Sequence, residues 1–184
     1  MGNGIIEIKK TFWSDAGKAG AVLGLVMAAF AFAAYALGLG ENALRVIGIF
    51  NFIAIAVTIY IYGRQRAVKF AGAGATFSFF DSLLYSLAIV LFAGFIFGVG
   101  QWIIITWITG DAYRQSIEAS ITQSRQVLQS MMPQDQIEQS VEMVRALSVN
   151  PVFIIISYMM NVLVTGLLIG LLTAVFIRTE RRIG

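Results

Sequence analysis

Residues Thr76 to Ile108 read TFSFFDSLLYSLAIVLFAGFIFGVGQWIIITWI, about 33 residues with one charged side chain, Asp81. A helix rises about 1.5 Å per residue, so about 20 apolar residues cross a hydrocarbon core about 30 Å thick. This run exceeds that need. Three further stretches, Ala19 to Leu39, Val46 to Tyr62 and Val152 to Ile177, carry no charge. In lipid, each backbone N–H and C=O must find its partner inside its own segment, which helices achieve. The pattern predicts an all-α integral membrane protein, a single membrane domain over residues 1–184 built as a four-transmembrane-helix bundle.

Composition narrows the chemistry. The chain is 58% hydrophobic and 12% charged, against about 25% charged in soluble domains. It has no cysteine and no histidine. Disulfides, thiolate nucleophiles, imidazole bases and His-based metal or haem ligation are therefore outside its own means. The expectation is a non-enzymatic protein with no catalytic residue, metal or cofactor. The formal charge of +3 comes without a dense basic run interleaved with aromatics, so nucleic acid is not an expected partner.

The distribution of positive charge sets the topology. Lys9, Lys10, Lys18, Arg64, Arg66, Lys69, Arg178, Arg181 and Arg182 flank the spans on one side, and Arg45, Arg114, Arg125 and Arg145 on the other. By the positive-inside rule both termini are cytoplasmic and the loop 111–150 faces outward. Trp13, Tyr60 and Tyr62 on one side, and Trp102, Trp107 and Tyr113 on the other, suit the interfacial layers. Lys9 to Lys18, an apolar run and Ala34-Tyr35-Ala36 together resemble a cleavable signal, but the run is long and the first span is expected to stay.

Inside the spans the few polar groups stand out. Asp81 is the lone acid of the four stretches, with Arg64, Arg66 and Lys69 as expected partners on the same side. An intramembrane acid is a functional-site hypothesis by default, as a proton- or ligand-coupling group, but for Asp81, close to the headgroup water, structural pairing or capping is the first reading. Asn51, Gln101 and Asn161 are the remaining polar candidates, most simply as interhelical glue. Gly20, Gly24, Ala28 and Ala31 form one small-residue face, for packing within the monomer or for a homodimer seam. Gly94-xxx-Gly98 and Gly166-xxx-Gly170 are further small-residue contacts, expected to bring the third and fourth spans together. Gly94, Gly98 and Gly100 are also expected to loosen the middle of the third. Gly72-Ala73-Gly74 reads as a turn between the second and third spans.

The loop 111–150 reads as an extracytoplasmic amphipathic helical hairpin. Ile117, Ile121, Leu128 and Met131 share one face; Pro133 breaks the pattern, and Ile137, Val141, Val144 and Leu147 resume it. Its roles would be capping the bundle or docking a partner. Asn150-Pro151 then opens the last span.

The junction Gly72-Ala-Gly74-Ala-Thr-Phe-Ser-Phe and the run Gly166-Leu-Leu-Ile-Gly-Leu-Leu-Thr-Ala-Val-Phe-Ile-Arg178 resemble the small four-span membrane family of Bacteroidota known as domain of unknown function 4199. The likeness covers nearly the whole chain. It implies a bacterial inner-membrane location and transfers no catalytic residue. Because members look to be encoded beside a family-two glycosyltransferase of the polyprenol-phosphate type, it also implies a membrane partner in lipid-linked sugar metabolism. The leading expectation is thus an inner-membrane subunit that binds or anchors a partner, with Arg64, Arg66 and Lys69 meeting the partner, anionic membrane lipid or a lipid phosphate. The alternative is a small dimeric flippase or transporter of a lipid-linked sugar or small cation, with Asp81 in its path.

Overall fold

The computed structural model of the protein describes residues 2–37, 42–129 and 133–177. The described residues form seven helices: α1 (Gly2–Lys10), α2 (Phe12–Ala36), α3 (Asn42–Gly72), α4 (Phe79–Trp107), α5 (Gly110–Leu128), α6 (Gln134–Ser148) and α7 (Pro151–Ile177). Among them, α2, α3, α4 and α7 are long and apolar enough to cross a membrane. The expected four-span helical architecture is present. Two boundaries differ from the expectation by about two turns or more, the others by about one turn or less. α2 begins at Phe12 rather than near Ala19, and α3 runs on past Tyr62 to Gly72, so Arg64, Arg66 and Lys69 lie on a helix and not in a connection. Hydropathy stops where the apolar residues stop, but Lys, Arg and Gln are good helix formers and carry the helix beyond that point.

What ends α3 is a glycine in the left-handed region. Gly74 has φ +72°; Ala75 N–H donates to Phe70 C=O at 2.9 Å, and Gly74 N–H to Ala71 C=O at 3.0 Å. These two bonds make a Schellman motif, which satisfies carbonyls a helix end would leave bare. The chain then re-enters through a capping box: the Ser78 side chain accepts from Asp81 N–H, and Asp81 Oδ2 accepts from Ser78 N–H. α4 is 29 residues, so about 44 Å long, and continuous through Gly94, Gly98 and Gly100. The expected loosening of its middle is absent. Those glycines are contact points instead.

α4 is the hub, packed most extensively on α7 and α2. On the α2 side, a Cβ at Gly20 would fall on the backbone oxygen of Ile89. One at Gly24 would lie 2.7 Å from the oxygen of Ala93. The small-residue face of the first span is thus used inside the monomer. On the α7 side the two glycine pairs share one antiparallel seam without meeting each other. Gly94 and Gly98 sit against the backbone of Met159 and Ile155, while Gly166 and Gly170 accommodate Val90 and Ser86. Lipid offers no hydrophobic drive between helices, so this close packing supplies the association energy. α3 closes the bundle from the remaining side. Phe50 stacks on Phe30 of α2 with centroids 3.8 Å apart, and Gly63 meets the side chain of Ile177 on α7. Together with the bond from Arg66 of α3 to Asp15 of α2, that contact places the end of α7 at the same end of the bundle as the start of α2, called the terminal end.

α5 and α6 follow at the opposite end and pack together through Ile117, Ile121, Ile137 and Val141. The expected stripe is shorter than the sequence pattern: Val144 is exposed, and Met131 and the side chain of Leu128 lie outside the described residues. Across the pair, Arg145 Nε and Nη2 donate to Glu118 Oε1 and Oε2 at 2.8 and 2.7 Å. This fork holds the Glu118 carboxyl below its ordinary value. A depressed carboxylate contributes stability above its unfolded pKa and loses it as pH falls through the folded one. Spin labels placed across α5 and α6 should therefore keep one distance at neutral pH and spread only below the ordinary glutamate range. The bulk of the bundle should be unaffected. Asn150 caps α7, its Oδ1 accepting from Val152 and Phe153 N–H at 2.9 and 3.2 Å, and Pro151 takes the first helical position, where no N–H is missed.

Candidate functional site: a basic recess at the terminal end

Arg66 organises the terminal end. Its side chain is 3% exposed, although an arginine is almost never buried without partners. Nη1 donates to Asp15 Oδ2 at 3.2 Å, and Nη2 to the Ile8 carbonyl at 2.7 Å. The guanidinium also lies 4.7 Å from the ring centroid of Tyr85 and 5.2 Å from that of Phe12. Ring faces carry negative potential, so they compensate a buried cation where water cannot. One side chain therefore joins α1, α2, α3 and α4. The bond to Ile8 ties the end of α1 to α3, just before the Thr11 corner between α1 and α2. The Thr11 hydroxyl stands 3.1 Å from Ile8 O and 2.9 Å from Asp15 Oδ2.

Helical spacing explains which residues join this group. Tyr62, Gln65, Arg66 and Lys69 lie at i, i+3, i+4 and i+7 of α3, hence on one face. Asp15 and Lys18, three apart near the start of α2, meet them, and Tyr85 of α4 closes the back. Together they line a recess of about 110 Å³, several times the roughly 10–15 Å³ that one water needs. Lys69 Nζ is 3.8 Å from Asp15 Oδ2. Beside it, and sharing Gln65 and Lys69, an open groove of about 560 Å³ runs along the outer face of α3, lined also by Tyr60, Ile61, Arg64 and Val68. Arg64 Nη1 donates to the Tyr60 hydroxyl at 3.0 Å.

Several expectations about the site need correcting. Asp81 does not meet Arg64, Arg66 or Lys69. It is exposed and caps α4, its Oδ2 accepting from the Ser78 hydroxyl at 2.6 Å. Nor is it the lone acid of the spanning helices, because Asp15 lies within α2. The three basic residues also separate in role: Arg66 is buried and bonded, while Arg64 and Lys69 are exposed. Asn51 is half-buried on α3, and its Oδ1 is buried with no hydrogen-bond partner, which interhelical glue would have supplied. Gln101 is buried on α4. Asn161 is exposed on α7. It faces away from the bundle, and its amide makes no hydrogen bond to another described helix.

Asp15 is the residue the sequence reading passed over. Its local signal was modest: Thr11 and Asp15 at i, i+4, then Asp15 and Lys18 at i, i+3, ahead of the apolar run. Its partner Arg66 is 51 positions away, a distance that no local pattern spans.

With the fold and this site in place, the chain can be assigned to a family. It matches, over residues 18–179, the family described as "Protein of unknown function (DUF4199)", and it belongs to that family. Comparison with curated proteins and with solved structures gives no significant match.

Proposed function

We propose that this protein is a non-enzymatic membrane subunit that binds a partner protein within the bilayer along the outer face of α7. The observation that carries this reading is Asn161, an amide standing exposed in the middle of an apolar helix. The opposite face of α7 is already committed, with Ile154, Val162, Gly166, Ile169 and Gly170 buried. Ser157, Asn161, Val164 and Leu168 form the outward stripe at i, i+4, i+7 and i+11, all exposed. Hydrocarbon offers an amide no hydrogen bond, and an interhelical partner is worth about 0.6 to 2 kcal/mol. A polar group set outward therefore fits a surface that is covered in the membrane.

The tight seams around α4 support anchoring over transport through one chain, since glycines on α2, α4 and α7 meet backbone and side-chain atoms directly. A flippase or transporter would need its path between two copies. The partner proposed is a polyprenyl-phosphate glycosyltransferase of the inner membrane, which rests on the sequence resemblance alone. Purification from native membranes in mild detergent should bring a glycosyltransferase down with the chain, and Asn161→Leu should lower its recovery about tenfold, the equivalent of about 1.4 kcal/mol. A solitary band from wild-type protein, or unchanged recovery with Asn161→Leu, removes the proposal.

A further inference from the structure

The recess between α2 and α3 has a charge imbalance that its own residues do not resolve. Lys18, Arg66 and Lys69 line it against one carboxylate, Asp15. Asp15 is engaged by Arg66, and Lys69 stands off at 3.8 Å with its side chain 60% exposed. Lys18 is exposed as well. Next to Lys69, Arg64 uses one nitrogen on the Tyr60 hydroxyl and remains exposed. Two further acids stand at this end without lining the recess: Glu7 on α1, and Asp81, which lines a neighbouring cavity with Lys9, Phe12, Arg66 and Phe77 and is occupied by the capping box of α4. The recess thus offers two ammonium groups, the Gln65 amide and the Tyr62 hydroxyl around a polar hollow.

The floor beside it is of the opposite kind. The groove that shares Gln65 and Lys69 with the recess continues over Ile61 and Val68, and the exposed residues Ile53 and Val57 extend the same α3 face toward the middle of the span. At the end of a span, a basic hollow that opens onto an apolar helix face matches a molecule with an anionic head and an apolar tail. Basic pockets between transmembrane helices bind lipid head groups in this manner. Arg66 is what keeps the hollow in shape, since it ties α3 to Asp15 of α2 and to Ile8 of α1 while facing Tyr85.

We infer that the α2–α3 recess binds the phosphate-bearing head group of an anionic membrane lipid, held by Lys18 and Lys69, with an acyl chain along Ile61 and Val57 of α3. Arg64 guards the groove and contributes less directly. The same phosphate chemistry could arrive as free phosphate, but the continuity of the recess with the apolar face selects the lipid.

The test uses the full chain in nanodiscs of phosphatidylcholine containing a small fraction of phosphatidylglycerol, ejected into a native mass spectrometer, where retained lipid is counted. Wild type should retain phosphatidylglycerol over phosphatidylcholine. A basic residue near a membrane surface contributes about 1 kcal/mol toward anionic lipid, about fivefold each. Lys18→Gln with Lys69→Gln should therefore cut the preference by about 25-fold. Lys9→Gln with Lys10→Gln, at the same end but outside the recess, should leave most of it. Helicity and unfolding midpoint of each variant report whether the fold survives, and Lys18→Arg with Lys69→Arg should restore retention. Equal losses from the two glutamine pairs would reduce the effect to general surface charge and overturn the site. Displacement of the lipid by inorganic phosphate at millimolar concentration would overturn the lipid source.

Discussion

Asp15→Ala should destabilise the bundle by about 3 kcal/mol, and adding Arg66→Met to it should recover most of that loss. Removing one member of a buried ion pair costs about 3–5 kcal/mol because the other charge is left in low dielectric. The lower figure applies here, since the Asp15 side chain keeps 27% of its exposure and some water already reaches it. Without the carboxylate, the Arg66 guanidinium would retain one carbonyl, Ile8 O, and the faces of Tyr85, Phe12 and Phe70. Lys69 cannot replace Asp15, being of the same sign. The reverse deletion is milder. With Arg66→Met alone, Asp15 still has the Thr11 hydroxyl at 2.9 Å and Lys69 at 3.8 Å, so about 1 kcal/mol is expected from lost hydrogen bonding. Methionine fills the ring-lined slot without a charge, which is why the double variant should approach wild type. Unfolding in graded denaturing detergent, followed by helicity, measures all three. If Asp15→Ala and Arg66→Met cost the same, the guanidinium is better solvated than its 3% exposure indicates, and the organising role given to Arg66 fails.

The number of spans, the helical class and the turn at Gly72-Ala73-Gly74 were legible in the sequence because each depends on local quantities. Length of an apolar run, backbone hydrogen-bond demand in lipid and the steric freedom of glycine all act within a few residues. The extent of α2 and α3 was less legible, and for one reason. Hydropathy reports where a side chain prefers to be, whereas helix continuation depends on backbone propensity and on what caps the end. Phe12 to Lys18 and Gly63 to Gly72 are polar enough to leave hydrocarbon and still helical.

The site separated along the same line. That basic residues gather at the terminal end follows from charge counting, and Arg64, Arg66 and Lys69 were visible from it. Which one is buried was not visible, because α3 turns Arg66 inward and Arg64 outward by a rotation that only packing fixes. Asp81 drew attention as a charge in an apolar run, yet Ser78 three residues before it spells a capping box. Of the two readings of Asp81, capping was therefore the one that local sequence could decide, and the capping box is what forms. Asn161 shows the converse. A polar residue in a span invites a partner inside the bundle, but its place on the outer face depends on Gly166 and Gly170 having already turned the other face to α4.

The glycine seams give the other large effect, and here one substitution should change sign with position. Gly→Ala adds a single methyl group, and in a helix interior it favours folding by about 0.5–1 kcal/mol where nothing opposes the methyl. At Gly48 on α3 there is nothing within 4 Å of the added carbon, so Gly48→Ala should be neutral or stabilising. At Gly98 the same carbon would lie 2.6 Å from the backbone oxygen of Ile155, and at Gly24 it would lie 2.7 Å from that of Ala93. Those opposing atoms are main chain, so neither can yield by changing rotamer, and the helices must separate. Overpacking of this kind costs about 1–3 kcal/mol, which exceeds the propensity gain. Gly98→Ala and Gly24→Ala should each lower the unfolding midpoint, with Gly170→Ala falling between, since its nearest neighbour is the Ser86 Cβ at 3.2 Å. Gly24 and Gly98 belong to different seams, one holding α2 to α4 and the other α4 to α7. Sites without shared partners add to within a few tenths of a kcal/mol. The double variant should therefore lose about the sum of the two. A loss well below the sum would mean that α4 shifts as a rigid body to relieve both seams at once, which its position between α2 and α7 should forbid, since moving away from one helix presses it into the other.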